Sequence, residues 1–162
     1  MMPTTRRATF RAVLAATAAA VPLLTRPVRA AAAQPPAAAR EATLFKNPNC
    51  DCCEGYAAYL RQNGYQVRVV PSHDIALISR QQQVPQDLEG CHITMVDGYT
   101  VVGHVPVGPL DRLLAERPDV RGISLPGMPM GSPGMGGPKV EPFTIYTIPR
   151  DAAAEPAVHA VE

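Results

Sequence analysis

The 162-residue sequence has no tryptophan and only 5% aromatic residues, which limits it to a modest, mainly aliphatic core. One ordinary domain fits this length and two do not. No basic stripe runs through the body of the chain. Residues 1–30 hold five arginines and no acid, and the remainder keeps 10 basic against 14 acidic residues, a net charge of −4. A mildly acidic body excludes nucleic acid as an expected partner. The uncharged apolar run 12–24 falls short of the ~20 residues of an ordinary membrane span. There is no G-x-S-x-G elbow, no phosphate-cradling G-x-x-x-x-G-K-[ST] loop and no H-E-x-x-H pair, so the familiar hydrolase, nucleotide and metalloprotease signatures are missing. Internal repeats are missing as well. What the sequence does contain is four cysteines, three of them within four residues.

The first thirty residues read as a signal peptide: a basic start, the apolar run, and Val28-Arg29-Ala30 with small residues where a signal peptidase cuts. Arg6-Arg7 followed by Phe10 suggests the twin-arginine route as an alternative to general secretion, and an uncleaved anchor is the competing reading of the same segment. Residues 31–41, rich in alanine and proline, read as a flexible spacer. A periplasmic location follows as the expectation, with membrane contact only through export. Thiols oxidise there unless a metal or a reductant protects them.

The mature chain alternates strand and helix signals. A short apolar strand over 42–45 ends at Asn47-Pro48-Asn49. Cys53, Tyr56, Ala57 and Leu60 recur at helical spacing, and Gly64 supplies the stop. Residues 65–70 alternate as a strand, and a weaker helix covers 75–82 with Ser72 as N-cap. Strands over 92–96 and 99–105 flank Asp97-Gly98, a two-residue hairpin signal. Pro109 opens a helix with Leu110, Leu113 and Leu114 inward, closed by Pro118. The Gly/Pro/Met-rich stretch 122–139 reads as a long loop leading to an edge strand over 143–148, and 150–162 as a solvated, disordered tail. The pattern predicts an α/β domain over 42–149, thioredoxin-like, with a central mixed sheet flanked by helices.

In that arrangement the first strand feeds straight into the first helix, and the cysteine cluster falls at the junction. Cys50 and Cys53 form a C-x-x-C pair, which at a helix N-terminus suits thiol–disulfide exchange, because the helix end stabilises a thiolate. Cys52 is surplus to that chemistry. Cys91 precedes the strand 92–96, whose entry faces the same helix end, and would complete a four-sulfur site. No proline precedes Ile93, where thioredoxins carry one.

Two structural disulfides are the ordinary expectation for four cysteines in an exported chain, but adjacent Cys52 and Cys53 suit that geometry badly. A single tetrahedral zinc fits three sulfurs in four residues awkwardly. Cu(I) accepts two or three soft sulfur ligands, so Cys50, Cys52, Cys53 and Cys91 suit a small polynuclear Cu(I)–thiolate cluster. Met128, Met130 and Met135 offer thioether ligands for copper entry or handover, or simple packing over the core edge. His92 and His104 are further candidates that read equally well as hydrogen-bonded structural histidines, while His73 and His159 read as exposed.

Over residues 42–148 the chain resembles the CopG-like copper-response proteins, long labelled a domain of unknown function and unrelated to the DNA-binding repressors of that name. The resemblance rests on Cys50-Asp51-Cys52-Cys53, Cys91-His92, Asp97-Gly98-Tyr99, Gly103-His104-Val105-Pro106, Leu113-Leu114-Ala115-Glu116-Arg117-Pro118, and Pro126-Gly127-Met128-Pro129-Met130-Gly131-Ser132-Pro133-Gly134-Met135. It implies a thioredoxin-like fold, export to the periplasm and a role in copper handling or resistance, with the four cysteines at the family's metal-binding positions. Asp51 departs from the glycine common there, and a carboxylate beside three thiols opposes their ionisation. Two functions stand side by side: a periplasmic copper-binding protein, or a thiol–disulfide or copper-linked oxidoreductase using Cys50 and Cys53. Copper ions are the expected ligand, and other periplasmic copper-handling or redox proteins the expected partners.

Overall fold

A computed structural model describes residues 40–162; the signal-peptide reading of 1–30 and nearly all of the 31–41 spacer lie outside the described residues. Strand β1, Arg40–Lys46, buries Ala42, Leu44 and Lys46 on one face. A tight turn follows, in which the Asn49 amide donates to Asn47 Oδ1 and the Cys50 amide to the Asn47 carbonyl. Helix α1, Asp51–Gln62, turns Cys53, Tyr56, Ala57 and Leu60 inward, at the spacing its sequence carries. Gly64, at φ +88°, makes the reversal into β2, Tyr65–Pro71, which pairs parallel to β1.

Helix α2, Ile75–Gln81, is capped by Asp74 and not by Ser72: the Leu77 amide donates to Asp74 Oδ1 at 2.8 Å, while Ser72 Oγ accepts from the Asp74 amide. Strands β3, His92–Val96, and β4, Tyr99–Gly103, form the expected hairpin. Asp97 and Gly98 both take positive φ, as a type I′ turn requires. The second strand, expected to run to residue 105, stops at Gly103, where a turn closed by the Val105 amide and the Gly103 carbonyl puts His104 at a corner. Helix α3, Val107–Glu116, starts two residues before Pro109, with Pro106 as N-cap, and buries Leu110, Leu113 and Leu114. Pro109 still sits in the first turn, where its missing N–H costs nothing.

Two expectations are corrected by the last third of the chain. The supposed loop starting at residue 122 begins with a strand, β5, Gly122–Leu125, parallel to β4 and buried at all four positions. At Gly122 a side chain would collide with the Thr100 carbonyl, so the glycine that disguises this strand is what lets it pair closely. Strand β6, Thr144–Ile148, is not an edge, and the supposed disordered tail contains β7, Val158–Val161, antiparallel to β6. Phe143 and Glu162 exchange both backbone hydrogen bonds at the end of that pair.

The sheet order is β2-β1-β3-β4-β5-β6-β7. Leu44, Tyr56, Leu60, Val101, Leu110, Leu113, Ile123 and Ile145 join α1 and α3 to one face in a single cluster. On the other face Val84, Leu88, Ile93, Val102 and Ile148 pack with Ile75 and Ile78 of α2. Among the described residues the fold is therefore α/β: a seven-stranded mixed sheet with three α-helices on its two faces. No helix among them is long and apolar enough to cross a membrane.

Candidate metal centre

Where β1 runs into α1, Cys50 is the N-cap, Cys52 the second helical residue and Cys53 the third. Cys91 arrives from the opposite side, immediately before β3, whose pairing with β1 sets Lys46 beside His92. The sulfurs of Cys50, Cys52, Cys53 and Cys91 all lie within 4.8 Å of one another. Cys50 and Cys53 are joined by a disulfide, and Cys52 and Cys91 are free. Cys52 Sγ stands 3.4 Å from Cys50 Sγ, and Cys91 Sγ stands 3.6 Å from Cys53 Sγ. Cys53 is fully buried and the other three are half-buried, so the cluster reaches the surface mainly through Cys50, Cys52 and Cys91.

Both histidines that the sequence held in second place reach this cluster. His92 Nδ1 and His104 Nε2 each lie 3.3 Å from Cys91 Sγ, and the two rings meet edge to face at 4.8 Å. Cys91, His92 and His104 thus form a second potential ligand group that shares Cys91 with the first. The tautomer of His104 follows from its other contact. Nδ1 lies 2.6 Å from the Pro133 carbonyl, which only accepts, so the proton is on Nδ1 and Nε2 turns a lone pair to Cys91. His92 Nε2 is buried with no hydrogen-bond partner.

Burial decides the protonation states at this site. It pushes the Cys91 thiol up to about 12, with the neighbouring Cys52 adding to the effect. His92 is held down to about 3 by burial and then by His104, and burial lowers His104 as well. At neutral pH the centre therefore presents a protonated Cys91 thiol between two neutral imidazoles, the form in which histidine binds metals.

The methionine-rich connection between β5 and β6 closes one side of the site. Gly134, at φ +86°, lies so close to α1 that a Cβ there would stand 2.5 Å from the Tyr56 amide nitrogen and 2.7 Å from the Cys52 carbonyl. Met128 and Met130 are exposed and Met135 is half-buried, so the first two do not pack into the core edge. His73 is exposed as expected; His159 is not fully so, since its Nε2 faces the Pro109 carbonyl at 3.0 Å. Pro133 and Gly134 belong to the motif that carries the resemblance, but their parts in this site are played by backbone atoms, which residue type alone does not reveal.

The family model described as "Protein of unknown function, DUF411" matches residues 88–135. No curated protein matches the chain. Two solved structures do. Copper resistance protein copG in its form 2 superposes with a TM-score of 0.70 at 30% identity, covering 76% of this chain and 98% of its own. Form 1 gives 0.68 at 29% identity, covering 75% and 96%. The agreement runs through nearly the whole length of those structures, and the chain belongs to the family of CopG-like copper-response proteins.

Proposed function

We propose that this protein binds copper for copper resistance, holding Cu(I) as cargo in a thiolate site made by Cys50, Cys52, Cys53 and Cys91. The observation that carries the reading is the convergence of four sulfurs from two chain segments within 4.8 Å, more sulfur than a disulfide exchange needs. Thiolates select soft ions, and crowded sulfurs bridge several of them, which supports a polynuclear cluster over one tetrahedral ion. His92 and His104 extend the donor set through Cys91. The relatives' description as copper resistance proteins points to copper among the soft metals. Export to the periplasm, argued from the layout of residues 1–30, completes the proposal.

A second reading is favoured by the Cys50–Cys53 bond itself. A C-x-x-C disulfide at a helix N-terminus is suited to exchange, and the run β1-α1-β2 followed by the β3–β4 hairpin and α3 supports a thioredoxin-like assignment. The two readings are chemically linked. The disulfide must take up two electrons before Cys50 and Cys53 can bind metal, and bound copper blocks their oxidation.

Anaerobic titration of the reduced protein with Cu(I), counting ions bound and thiols protected per chain, tests the proposal. More than one tightly held ion with all four thiols protected is the expected result. A ratio that never exceeds one removes the polynuclear cluster. No tight binding, with Cys50 and Cys53 cycling freely between dithiol and disulfide, leaves the oxidoreductase reading.

A further inference from the structure

Lys46 breaks the pattern of its own strand. It follows Ala42 and Leu44 on the buried face of β1, yet it is charged and only 3% exposed. A buried ammonium costs several kcal/mol unless it is fully paired. Lys46 Nζ donates to the carbonyls of Asn47 at 3.2 Å, Pro48 at 3.0 Å and Cys50 at 3.3 Å, and lies 3.2 Å from Glu54 Oε1. All four acceptors belong to the turn and first helical residues that present the cysteines. Among the described residues no other lysine or arginine bonds to this stretch, and Asp51 and Glu54 add only negative charge to it.

We infer that Lys46 is the positioning residue and buried counter-charge of the cysteine site. Its carbonyl contacts fix the turn that sets Cys50 against Cys52 and Cys53. Its charge matters because ligation makes the site anionic: two thiols and one Cu(I) give a bis-thiolate complex of charge −1 and release two protons, with no change of oxidation state. Glu54 partly cancels the lysine. This inference rests on the metal–thiolate reading above.

The test is competition for Cu(I) between the reduced full chain and a coloured cuprous chelator, under anaerobic conditions. Lys46→Met is expected to weaken the first Cu(I) at least tenfold, and Lys46→Arg, which keeps the charge, to restore most of the affinity. Glu54→Gln is expected to move affinity the other way, a two- to fivefold tightening. A purely structural lysine would not produce shifts of opposite sign. Should Lys46→Met fail to fold by circular dichroism, Lys46→Arg and Glu54→Gln still decide the matter. Wild-type uptake with Glu54→Gln unchanged or weakened overturns the role of Lys46 alone. A wild-type chain that takes up no Cu(I) overturns it together with the metal reading.

Discussion

His104 reaches across 29 residues to donate its Nδ1 proton to the Pro133 carbonyl at 2.6 Å. That one bond orients the ring toward Cys91 and ties the methionine-rich connection to the corner after β4. Replacing His104 with alanine is therefore expected to loosen the segment 131–135 and to unmask Cys91. The loss of a buried hydrogen bond should cost about 1–3 kcal/mol. Faster amide exchange over 131–135, together with severalfold faster labelling of Cys91 by a thiol reagent, is the outcome to look for.

Gly134→Ala tests the same closure from the other side. The new methyl group meets backbone atoms of Cys52 and Tyr56, which cannot rotate away, and the residue sits in the left-handed region. A loss of about 1–3 kcal/mol is expected, read as a lower urea midpoint at unchanged slope. An unshifted midpoint would mean that the connection does not press on α1 in solution.

Cys52→Ser separates the two chemistries of the cysteine cluster. The Cys50–Cys53 pair is left intact, so the disulfide is expected to form and reduce as before. Cu(I) capacity is expected to fall by at least one ion per chain, measured by titration after reduction. Equal capacity in the variant and the wild type would show that Cys52 is not a ligand.

Alkaline titration probes two buried tyrosines, of which Tyr56 packs its ring against His92 and His104. Burial, followed by repulsion from neighbouring tyrosines, raises Tyr56; burial, then the Asp111 carboxylate, raises Tyr65, whose hydroxyl donates to Asp111 at 2.6 Å. Raised values in the folded state mean that the stabilisation is whole below pH ~10, where free tyrosine ionises, and drains away above it. Of the five tyrosines, Tyr56 and Tyr65 are expected to ionise only as the chain unfolds. A tyrosinate absorbance curve with all five titrating together, before any loss of circular dichroism, would contradict this.

The parts of this fold that are legible in the sequence are those whose signal is local. Cys53, Tyr56, Ala57 and Leu60 mark the inner face of α1 by spacing alone, and Asp97-Gly98 marks its hairpin by backbone preference. Strand β5 carries no such mark: Gly122 and Ser124 interrupt its apolar pattern, and only pairing with β4 and β6 makes it a strand. The same holds for β7, a four-residue strand that exists by pairing with β6.

The candidate site divides along similar lines. Cys50, Cys52 and Cys53 stand out by proximity in sequence, and Cys91 by its place before β3. The C-x-x-C spacing also singles out Cys50 and Cys53 as the pair suited to disulfide chemistry, and these two are the ones that bond. Lys46 escaped notice because lysine is almost never fully buried, and its burial depends on carbonyls whose directions only the folded turn defines. His92 adjoins Cys91 in the sequence, but His104 lies thirteen residues beyond it, and their meeting at Cys91 is a product of the β3–β4 pairing and the corner after Gly103.

Strands β5 and β6 are adjacent and antiparallel, so the connection 126–143 leaves the sheet and returns to it through neighbouring strands. Its middle is anchored, through Pro133 to His104 and through Gly134 to α1, while Met128, Met130 and Val140 stand exposed on either side. Tolerance to insertion is consequently uneven within one loop. Extra residues beside Val140 lengthen an outer arm and leave the sulfurs untouched, whereas one residue added between Ser132 and Gly134 displaces both anchors together. The outward arms of the connection are thereby free to diversify while the sulfur cluster behind its anchored middle stays fixed.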